Sequence, residues 1–476
     1  MQELSLTESI GQSAKELLQC QWVVDELRNV DFGDSRLRNR FLVIAKRLAN
    51  QPSASICECG EDWGLVKSAY RFFDNPKVSA KRVLEPHKIR SSQRAARHKG
   101  KVLVIQDTTS LNYTHLKSAT DLGHIGKNKN AQGLMVHQSL AVTESGIPLG
   151  CVEQKIWSRK EYRDEPDKNE IARTPIEEKE SFRWLESLRS YDRAMSRSDY
   201  ITVCDREAHI YEFFDEAQSL GAQVLVRARR PESIGAKSFK LVIKKQPLGD
   251  TYIINVPDKE RERLREAKVE LRYGKVKVQK PDRIKDSPKY ANSDHLEMYY
   301  VALTEIDTPK EEEPISWLLI SNIKISSVNK AKKLVKWYRV RWQIEIFFRI
   351  LKSGCKIEDS LLRKNCRREP YIALQSIIAW RLLLMVNYTR ACPTAPATTV
   401  FTQTECDALV STVKGEIVRD TKINMQSATY MLAQLGGFLK RNNNEKPGPT
   451  VIWRAWERLQ DLTLMFVIAT EKMTSS

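Results

Sequence analysis

The stretch KVLVIQDTT, at residues 101–109, is a short apolar run that ends in polar residues, a pattern that predicts a β-strand. Two further strands are predicted downstream, GLMVHQSLAVT and PLGCVEQKIWS, joined by a turn at Glu144-Ser145-Gly146. YITVCDRE and AQVLVRAR predict two more strands, while ESFRWLESLRSYDRAM and HIYEFFDEAQSL have the spacing of helices. The resulting order, β-β-β-α-β-α-β, predicts an α/β fold built on a mixed sheet.

The segments around this sheet divide the chain into three predicted domains. The strand and helix order is that of ribonuclease-H-like sheets, which predicts such a domain over residues 99–370. Within it, strand patterns that include KLVIKK and ISWLLIS predict a β-rich insertion at about 231–322. Residues 1–98 are predicted to form a basic helical domain, in which Asp34 caps one helix, and residues 371–476 a second, all-helical domain.

Charge is the main compositional signal in these 476 residues. Seventy-eight Lys and Arg against 60 Asp and Glu give a net charge of +18, which favours polyanionic partners such as nucleic acid. Residues 324–368 alone hold 14 Lys and Arg but three acids. This cluster indicates either a nucleic-acid contact or a solvated helix face.

Other protein classes are disfavoured by the sequence. The apolar stretch from Tyr371 to Val386 contains Gln375 and Arg381, which predicts a buried helix rather than a membrane span. The first residues lack the pattern of a signal peptide, so a cytosolic protein is expected. Nine cysteines without a CxxC pair argue against a disulfide framework and against a cysteine zinc site.

Two aspartates, Asp107 and Asp205, each follow an apolar run that predicts a strand. Carboxylates at strand ends are held at one edge of a rigid sheet, and such oxygens suit Mg²⁺, which takes few protein ligands. A pair of ions held in this way activates water or a 3′ hydroxyl for attack on a phosphodiester. Aspartates at strand ends are also common turn formers, so neither residue by itself distinguishes a metal ligand from a turn former.

A single long helix, predicted from about Val328 to Ser353, supplies a third acid. At 100° per residue its polar stripe spans roughly 80° and lies opposite an apolar stripe. The polar stripe consists of Tyr338, Arg341, Glu345, Arg349 and Lys352. One carboxylate among cations indicates either ion pairs along the helix or a metal ligand.

The same helix carries a recognisable motif. WYRVRWQIEIFFRILKSG contains Y-x2-R-x3-E-x6-K, formed by Tyr338, Arg341, Glu345 and Lys352. Together with VIQDTTSLNY and VCDREAHIYEF, it closely resembles the DDE transposases of the IS-four superfamily, Tn-five type. AYRFFDNP, WLLIS, LGGFLKR and WRAWERLQ extend the resemblance over nearly the whole chain.

The resemblance implies a ribonuclease-H-like core with a β-rich insertion, an N-terminal domain that binds DNA ends and a C-terminal dimerisation domain. It implies cut-and-paste transposition through a DNA hairpin, with Asp107, Asp205 and Glu345 as ligands of two Mg²⁺ ions, which Mn²⁺ can replace. The expected partners are double-stranded transposon ends, target DNA and a second copy of the chain in the paired-end complex, with no membrane. The expected location is the bacterial cytoplasm, at the nucleoid.

The expected DNA contacts follow from the same resemblance. They are Tyr338, Arg341, Arg349, Lys352, Arg227, Trp317, Trp342, Tyr70 and Arg71. Trp317 corresponds to a tryptophan that stacks on a base flipped out of the duplex, although its neighbours are equally typical of a buried strand residue.

One departure and two alternatives remain. Where the family has paired tryptophans, this chain has Gly133-Leu134-Met135-Val136-His137, so part of the aromatic platform for the flipped base is missing. His137 and His209 lie near the core motifs and are expected to be structural. The alternatives are a nuclease with the same core and a catalytically inert DNA-binding regulator.

Overall fold

The computed structural model describes residues 20–475, except 61, 127, 160–173, 196–198, 230–238, 258–263, 286, 291–293, 310–311 and 440–445. One mixed sheet of ten strands runs through this described part of the chain, in the order β2-β3-β1-β5-β6-β10-β9-β8-β7, with β4 paired to β3. The strands are β1 (Val102–Asn112), β2 (Gly123–His124), β3 (Gln132–Thr143), β4 (Pro148–Trp157), β5 (Tyr200–Cys204), β6 (Gln223–Arg227), β7 (Asp250–Pro257), β8 (Leu264–Gln279), β9 (His295–Ile306) and β10 (Ser316–Ser321).

The centre of the sheet has the ribonuclease-H-like arrangement. β4, β3 and β1 pair antiparallel, whereas β1, β5 and β6 pair parallel. The helices α5 (Phe182–Met195) and α6 (Tyr211–Leu220) make the two connections into β5 and β6. The predicted fold class, a mixed α/β sheet with a β-rich insertion between helical regions, is therefore confirmed.

The β-rich insertion continues the same sheet instead of forming a separate body. β10 pairs antiparallel with β6 and with β9, and β8 and β7 extend the sheet beyond β9. The strand expected at KLVIKK is wrong, because Phe239–Lys245 forms the short helix α7. Ile243 packs against the core there while Val242 is exposed, so tertiary packing overrides the strand propensity of this segment.

Helices cover both ends of the chain. The N-terminal group comprises α1 (Gln21–Leu27), α2 (Ser35–Asn50), α3 (Trp63–Phe73) and α4 (Ala80–Arg97). After the sheet come α8 (Val328–Val340), α9 (Gln343–Arg349), α10 (Asn365–Ala391), α11 (Gln403–Lys414), α12 (Met425–Leu435) and α13 (Pro449–Ser475). The Asp34 side chain accepts a hydrogen bond from the Arg36 amide, which confirms it as the cap of α2.

The helix α10 is the central structural element of the C-terminal region. Among the described residues it is the one helix long and apolar enough to cross a membrane, yet 78% of its apolar window is buried inside the protein. Its Trp380 Nε1 donates to the Pro148 carbonyl, and Asn387 Nδ2 donates to the Gly146 carbonyl. These bonds dock it on the turn between β3 and β4, and the expected domain boundary at 370–371 falls inside this helix.

A buried polar cluster joins the N-terminal helices to the sheet. The Cys151 amide donates to His87 Nε2 at 2.9 Å, so His87 carries its proton on Nδ1 and donates it to Glu26 at 2.5 Å. Arg94 donates two hydrogen bonds to the same carboxylate, at 2.8 and 2.9 Å. Burial alone would raise the pKa of Glu26, but His87 and Arg94 lower it to about 2. Burial also lowers the pKa of His87.

We expect this cluster to make the protein sensitive to acid. A carboxyl whose folded pKa is depressed to about 2 stabilises the fold above its unfolded value of 4.5, and this stability is lost as pH falls from 4.5 toward 2. His87 has a lowered pKa in the folded protein, so the stability that it contributes as a neutral side chain is also lost as pH falls below its unfolded pKa of 6.5. Glu26→Gln should lower the free energy of unfolding at pH 7 by about 1.5–3 kcal/mol, the usual worth of hydrogen bonds to a charged group.

Urea denaturation at pH 7 and at pH 4 measures both the stability lost in Glu26→Gln and the sensitivity of each protein to acid. The variant should lose less stability than the wild type between the two pH values. Glu266→Gln, on the exposed side of β8, is the matched control and should leave both values unchanged. Equal acid sensitivity in Glu26→Gln and the wild type would contradict the assignment.

Candidate active site

The two aspartates lie side by side at the edge of the parallel pairing between β1 and β5. This pairing runs as far as Gln106 and Cys204, one residue before each aspartate. Asp205 follows the end of β5, as expected. Asp107 does not end its strand, because β1 continues along β3 as far as Asn112. The polar residues after Asp107 therefore mark the end of one pairing, not of the strand.

The helix that brings the third acid is not the single continuous helix expected from the sequence. Its α-helical hydrogen bonding is interrupted at Arg341 and Trp342, where the Trp342 amide donates to Arg339 and the Glu345 amide donates to Trp342, both bonds spanning three residues. After α9, residues Ile350–Gly354 form a π-helix. Glu345 lies in the first turn of α9.

Arg341 joins the acids from the sheet and from the helix. Its Nη1 donates to Asp107 Oδ2 at 3.0 Å, and its Nη2 donates to Glu345 Oε1. The expected ion pair between Arg341 and Glu345 is therefore present, but the same guanidinium also reaches across to β1. This bridge places a sheet carboxylate and the helix carboxylate around one cation.

The three acids lie close enough to affect the pKa of Asp107. Burial raises the pKa of the Asp107 carboxyl to about 7, opposed by Arg341 and reinforced by Asp205 and Glu345. Burial lowers the pKa of Arg341, but Tyr338, Asp107 and Glu345 outweigh it and raise that pKa above its ordinary value. Burial and the two neighbouring acids therefore outweigh Arg341 at Asp107.

An aromatic and basic cluster adjoins the carboxylates. The Trp317 and Tyr338 rings meet edge to face with centroids 5.3 Å apart, and the Arg341 guanidinium lies 5.8 Å from the Tyr338 centroid. Arg227 hydrogen-bonds Tyr338 and donates to the Ser316 carbonyl at 3.4 Å. The structure therefore brings together Arg227, Trp317, Tyr338 and Arg341, and Trp317 is half-buried rather than enclosed.

The other expected DNA contacts lie farther along the chain. Lys352, within the π-helix, is 3.9 Å from Glu358, whose carboxylate accepts from the Asn112 amide at 2.7 Å. Trp342 and Arg349 are exposed on α9 and beside it.

Tyr70 and Arg71 lie on α3, in the N-terminal helices. The Tyr70 hydroxyl is 3.6 Å from Cys57 Sγ, and Arg71 is exposed. Neither residue belongs to the cluster around Arg341; they occupy a separate helical surface.

Two family models match the parts of the chain that carry most of these residues. Residues 19–78 match the family model described as transposase DNA-binding, and residues 171–381 match the transposase DDE domain. The chain contains a transposase DNA-binding domain and a transposase DDE domain. The DDE domain match includes Asp205 and Glu345, while Tyr70 and Arg71 fall within the DNA-binding match.

A solved transposase structure shares a distant likeness. It is the cryo-EM structure of the piggyBac transposase synaptic complex with hairpin DNA, at 10% sequence identity and a TM-score of 0.30. The match covers 70% of this chain and 52% of that chain, so this protein spans about half the length of that transposase.

DDE transposase domains generally use divalent metal ions, which the carboxylates of such a domain would hold. No three His, Cys, Asp or Glu side chains are grouped for a metal within the described ranges. The Arg341 guanidinium lies between Asp107 and Glu345 instead. The donors still fit a hard divalent cation in their chemistry, because such ions take carboxylate oxygens, and Asp205 and Glu345 add to burial in raising the pKa of Asp107.

The transposase domain also contains a buried residue that the sequence did not single out. Arg183, near the start of α5, is 7% exposed and hydrogen-bonds residues next to both aspartates. The signal in the sequence is an arginine that directly precedes Trp184 on the apolar face of a predicted helix.

Proposed function

We propose that this protein is a transposase that binds transposon ends, nicks them, and joins their 3′ ends to target DNA by metal-dependent phosphoryl transfer. The observation that carries the proposal is the bridge made by Arg341 between Asp107 of β1 and Glu345 of α9, with Asp205 close enough to help raise the pKa of Asp107. A transposase DNA-binding domain and a transposase DDE domain in the same chain support it.

Asp107, Asp205 and Glu345 would hold the metal, which we take to be two Mg²⁺ ions with Mn²⁺ as a substitute. Bound there, the metal supplies Lewis-acid stabilisation of the attacking and leaving oxygens. Arg341 would turn from the carboxylates toward a DNA phosphate as the site fills. The change exchanges one cation for another around the same acids, so it leaves the charge of the carboxylates compensated.

The basic and aromatic neighbours would hold the DNA end. Arg227 and Arg341 present positive charge near the acids, and Lys352 adds a further cation beside Glu358; such charges suit the phosphates that flank the scissile bond. Trp317 is half-buried, with its ring against Tyr338, and would receive a base flipped from the duplex during hairpin formation. Arg349 and Trp342, exposed nearby, would extend this contact, and Tyr70 and Arg71 would bind farther along the end.

The assignment to the Tn-five type adds an assembly and a location. Joining two ends requires two active sites, which we propose are supplied by a homodimer formed through the C-terminal helices in the paired-end complex. The partners would be double-stranded transposon ends and target DNA, in the bacterial cytoplasm at the nucleoid.

A strand-transfer assay tests the function. Purified full-length protein is incubated with DNA that carries the transposon ends, a target plasmid and Mg²⁺ or Mn²⁺. Nicked, hairpin and joined products are then resolved on denaturing gels. Joined products are expected. Cleavage without joining would favour a nuclease with the same core, and binding without cleavage in either metal would favour an inert DNA-binding regulator.

Trp317→Ala is expected to reduce hairpin formation about 5- to 150-fold, because stacking on an aromatic ring contributes about 1–3 kcal/mol per base. First-strand nicking should continue, so nicked intermediate accumulates. Trp317→Phe keeps an aromatic surface and should stay close to the wild type. A denaturing gel beside a melting curve measures both properties.

The competing interpretation of Trp317 makes a different prediction. A core tryptophan would cost about 3–5 kcal/mol of stability when replaced by alanine. A large fall in melting temperature, with nicking and hairpin formation lost together, would therefore contradict the base-flipping role.

A further inference from the structure

Arg183 makes three hydrogen bonds from a buried position near the start of α5. Its Nε donates to Thr108 Oγ1 at 2.9 Å, its Nη2 donates to Glu207 Oε2 at 2.6 Å, and its Nη1 donates to the Glu180 carbonyl at 2.8 Å. The Arg183 side chain is 8% exposed, against 53% for Glu207. The planar guanidinium therefore fixes two separate segments in one geometry.

The two segments are those that carry the aspartates. Thr108 follows Asp107 directly, and its amide donates to Asp107 Oδ1 at 2.8 Å. Glu207 lies two residues after Asp205, and its amide donates to Asp205 Oδ1 at 2.8 Å. Because the backbone pairing of β1 with β5 runs only as far as Gln106 and Cys204, Arg183 joins the segments just beyond the ladder.

The Thr108 hydroxyl is held in turn by a buried chain of hydrogen bonds. It donates to His137 Nδ1 at 2.9 Å, and His137 Nε2 donates to Gln106 Oε1 at 3.0 Å. Gln106 Nε2 donates to the Tyr191 hydroxyl at 2.7 Å, which donates to Thr202 Oγ1 at 2.7 Å. With His137 neutral, each of these four bonds pairs one donor with one acceptor.

A fully satisfied buried network is rigid, since breaking any bond leaves a polar group unpaired away from water. It starts and ends within the sheet, on β1, β3 and β5, and includes Tyr191 of α5. The hydroxyl of Thr108 thus has a fixed orientation when it accepts from Arg183.

We propose that Arg183 is a positioning residue that clamps the segments after Asp107 and Asp205 and so sets the spacing of these two carboxylates for a shared divalent cation. The clamp itself is a property of the fold. Its consequence for catalysis rests on the proposed function. Partners of this kind around metal ligands usually change metal affinity by about 10- to 100-fold when removed.

Arg183→Lys is the principal variant, because lysine keeps the charge but cannot make the forked contact. Its matched control is Arg189→Lys on the same helix, where the arginine pairs with Glu216 at 2.7 and 2.5 Å, away from the aspartates. A second pair of variants changes Thr108, which accepts one of the hydrogen bonds of Arg183. Thr108→Val removes the hydroxyl at nearly constant shape, and Thr108→Ser restores it.

Two measurements are made on the full-length protein without DNA. Hydrogen exchange of residues 205–209 reports the clamp directly in metal-free protein, and Mn²⁺ titration followed by electron paramagnetic resonance reports the affinity of the carboxylates for a divalent cation. We expect exchange at 205–209 to be at least about 10-fold faster, and Mn²⁺ affinity about 10- to 100-fold weaker, in Arg183→Lys and Thr108→Val. Arg189→Lys and Thr108→Ser should stay within about twofold of the wild type.

The outcomes separate the clamp from the proposed function. Equal exchange in Arg183→Lys and Arg189→Lys would refute the clamp. Faster exchange with unchanged Mn²⁺ affinity would refute the positioning role while leaving the metal site intact. A wild-type protein that binds no Mn²⁺ would instead refute the proposed metal site, and the positioning role with it.

Discussion

Glu345→Gln is expected to reduce cleavage of transposon ends by about 10³-fold or more while end binding persists. The amide keeps the shape of the side chain but removes the charge that a divalent cation requires. Loss of several kcal/mol of transition-state stabilisation corresponds to a loss of this size, since about 1.4 kcal/mol is tenfold in rate. Asp107→Asn and Asp205→Asn should behave in the same way, because we propose that all three acids hold the same metal ions.

The measurement combines a gel-shift assay with single-turnover cleavage in Mg²⁺ and in Mn²⁺. Glu297→Gln, exposed on β9, supplies a control in which a carboxylate is lost away from the site. Its cleavage should match the wild type. Efficient nicking by Glu345→Gln with normal binding would show that this glutamate is not a metal ligand.

The sheet was largely predictable from the sequence because each core strand is a local apolar run. β5 and β6 coincide with YITVC and QVLVR, β1 begins within KVLVI, and the connecting helices α5 and α6 lie in segments of helical spacing. The position of Asp107 within β1 was not predictable, because the strand continues by pairing with β3, a partner about 30 residues away. A polar run gives no local sign of such a partner.

The site was predictable in composition but not in its connections. Asp107 and Arg341 are separated by 234 positions, and Arg183 and Thr108 by 75, so no periodic pattern links them. The interruption between α8 and α9 has no proline or glycine that would predict it from the sequence. Only the packing of the complete fold sets which charged groups meet.

Because of that packing, replacing Arg341 tests two roles of this residue, in the stability of the fold and in the cleavage of DNA ends. In the metal-free protein its guanidinium bonds Asp107 and Glu345, with the three side chains 14%, 18% and 31% exposed. Arg341→Gln leaves both carboxylates without this partner, which should reduce stability by about 1.5–3 kcal/mol, the worth of hydrogen bonds to charged groups. Cleavage of transposon ends should fall about 10- to 150-fold, because the variant would lose a hydrogen bond of the same strength to a DNA phosphate.

Divalent metal should act on this variant in the opposite direction. At the proposed metal site, Arg341 of the wild type would compete with the cation for the same oxygens, whereas in Arg341→Gln the cation would meet carboxylates that have lost this guanidinium. Mn²⁺ should therefore raise the melting temperature of Arg341→Gln more than that of the wild type, even though the variant cleaves poorly. Arg341→Lys, which keeps one charged donor, should fall between them. Equal Mn²⁺ responses in all three proteins would mean that Arg341 and the metal do not share Asp107 and Glu345, because competition for common ligands requires the response to grow as the arginine is removed.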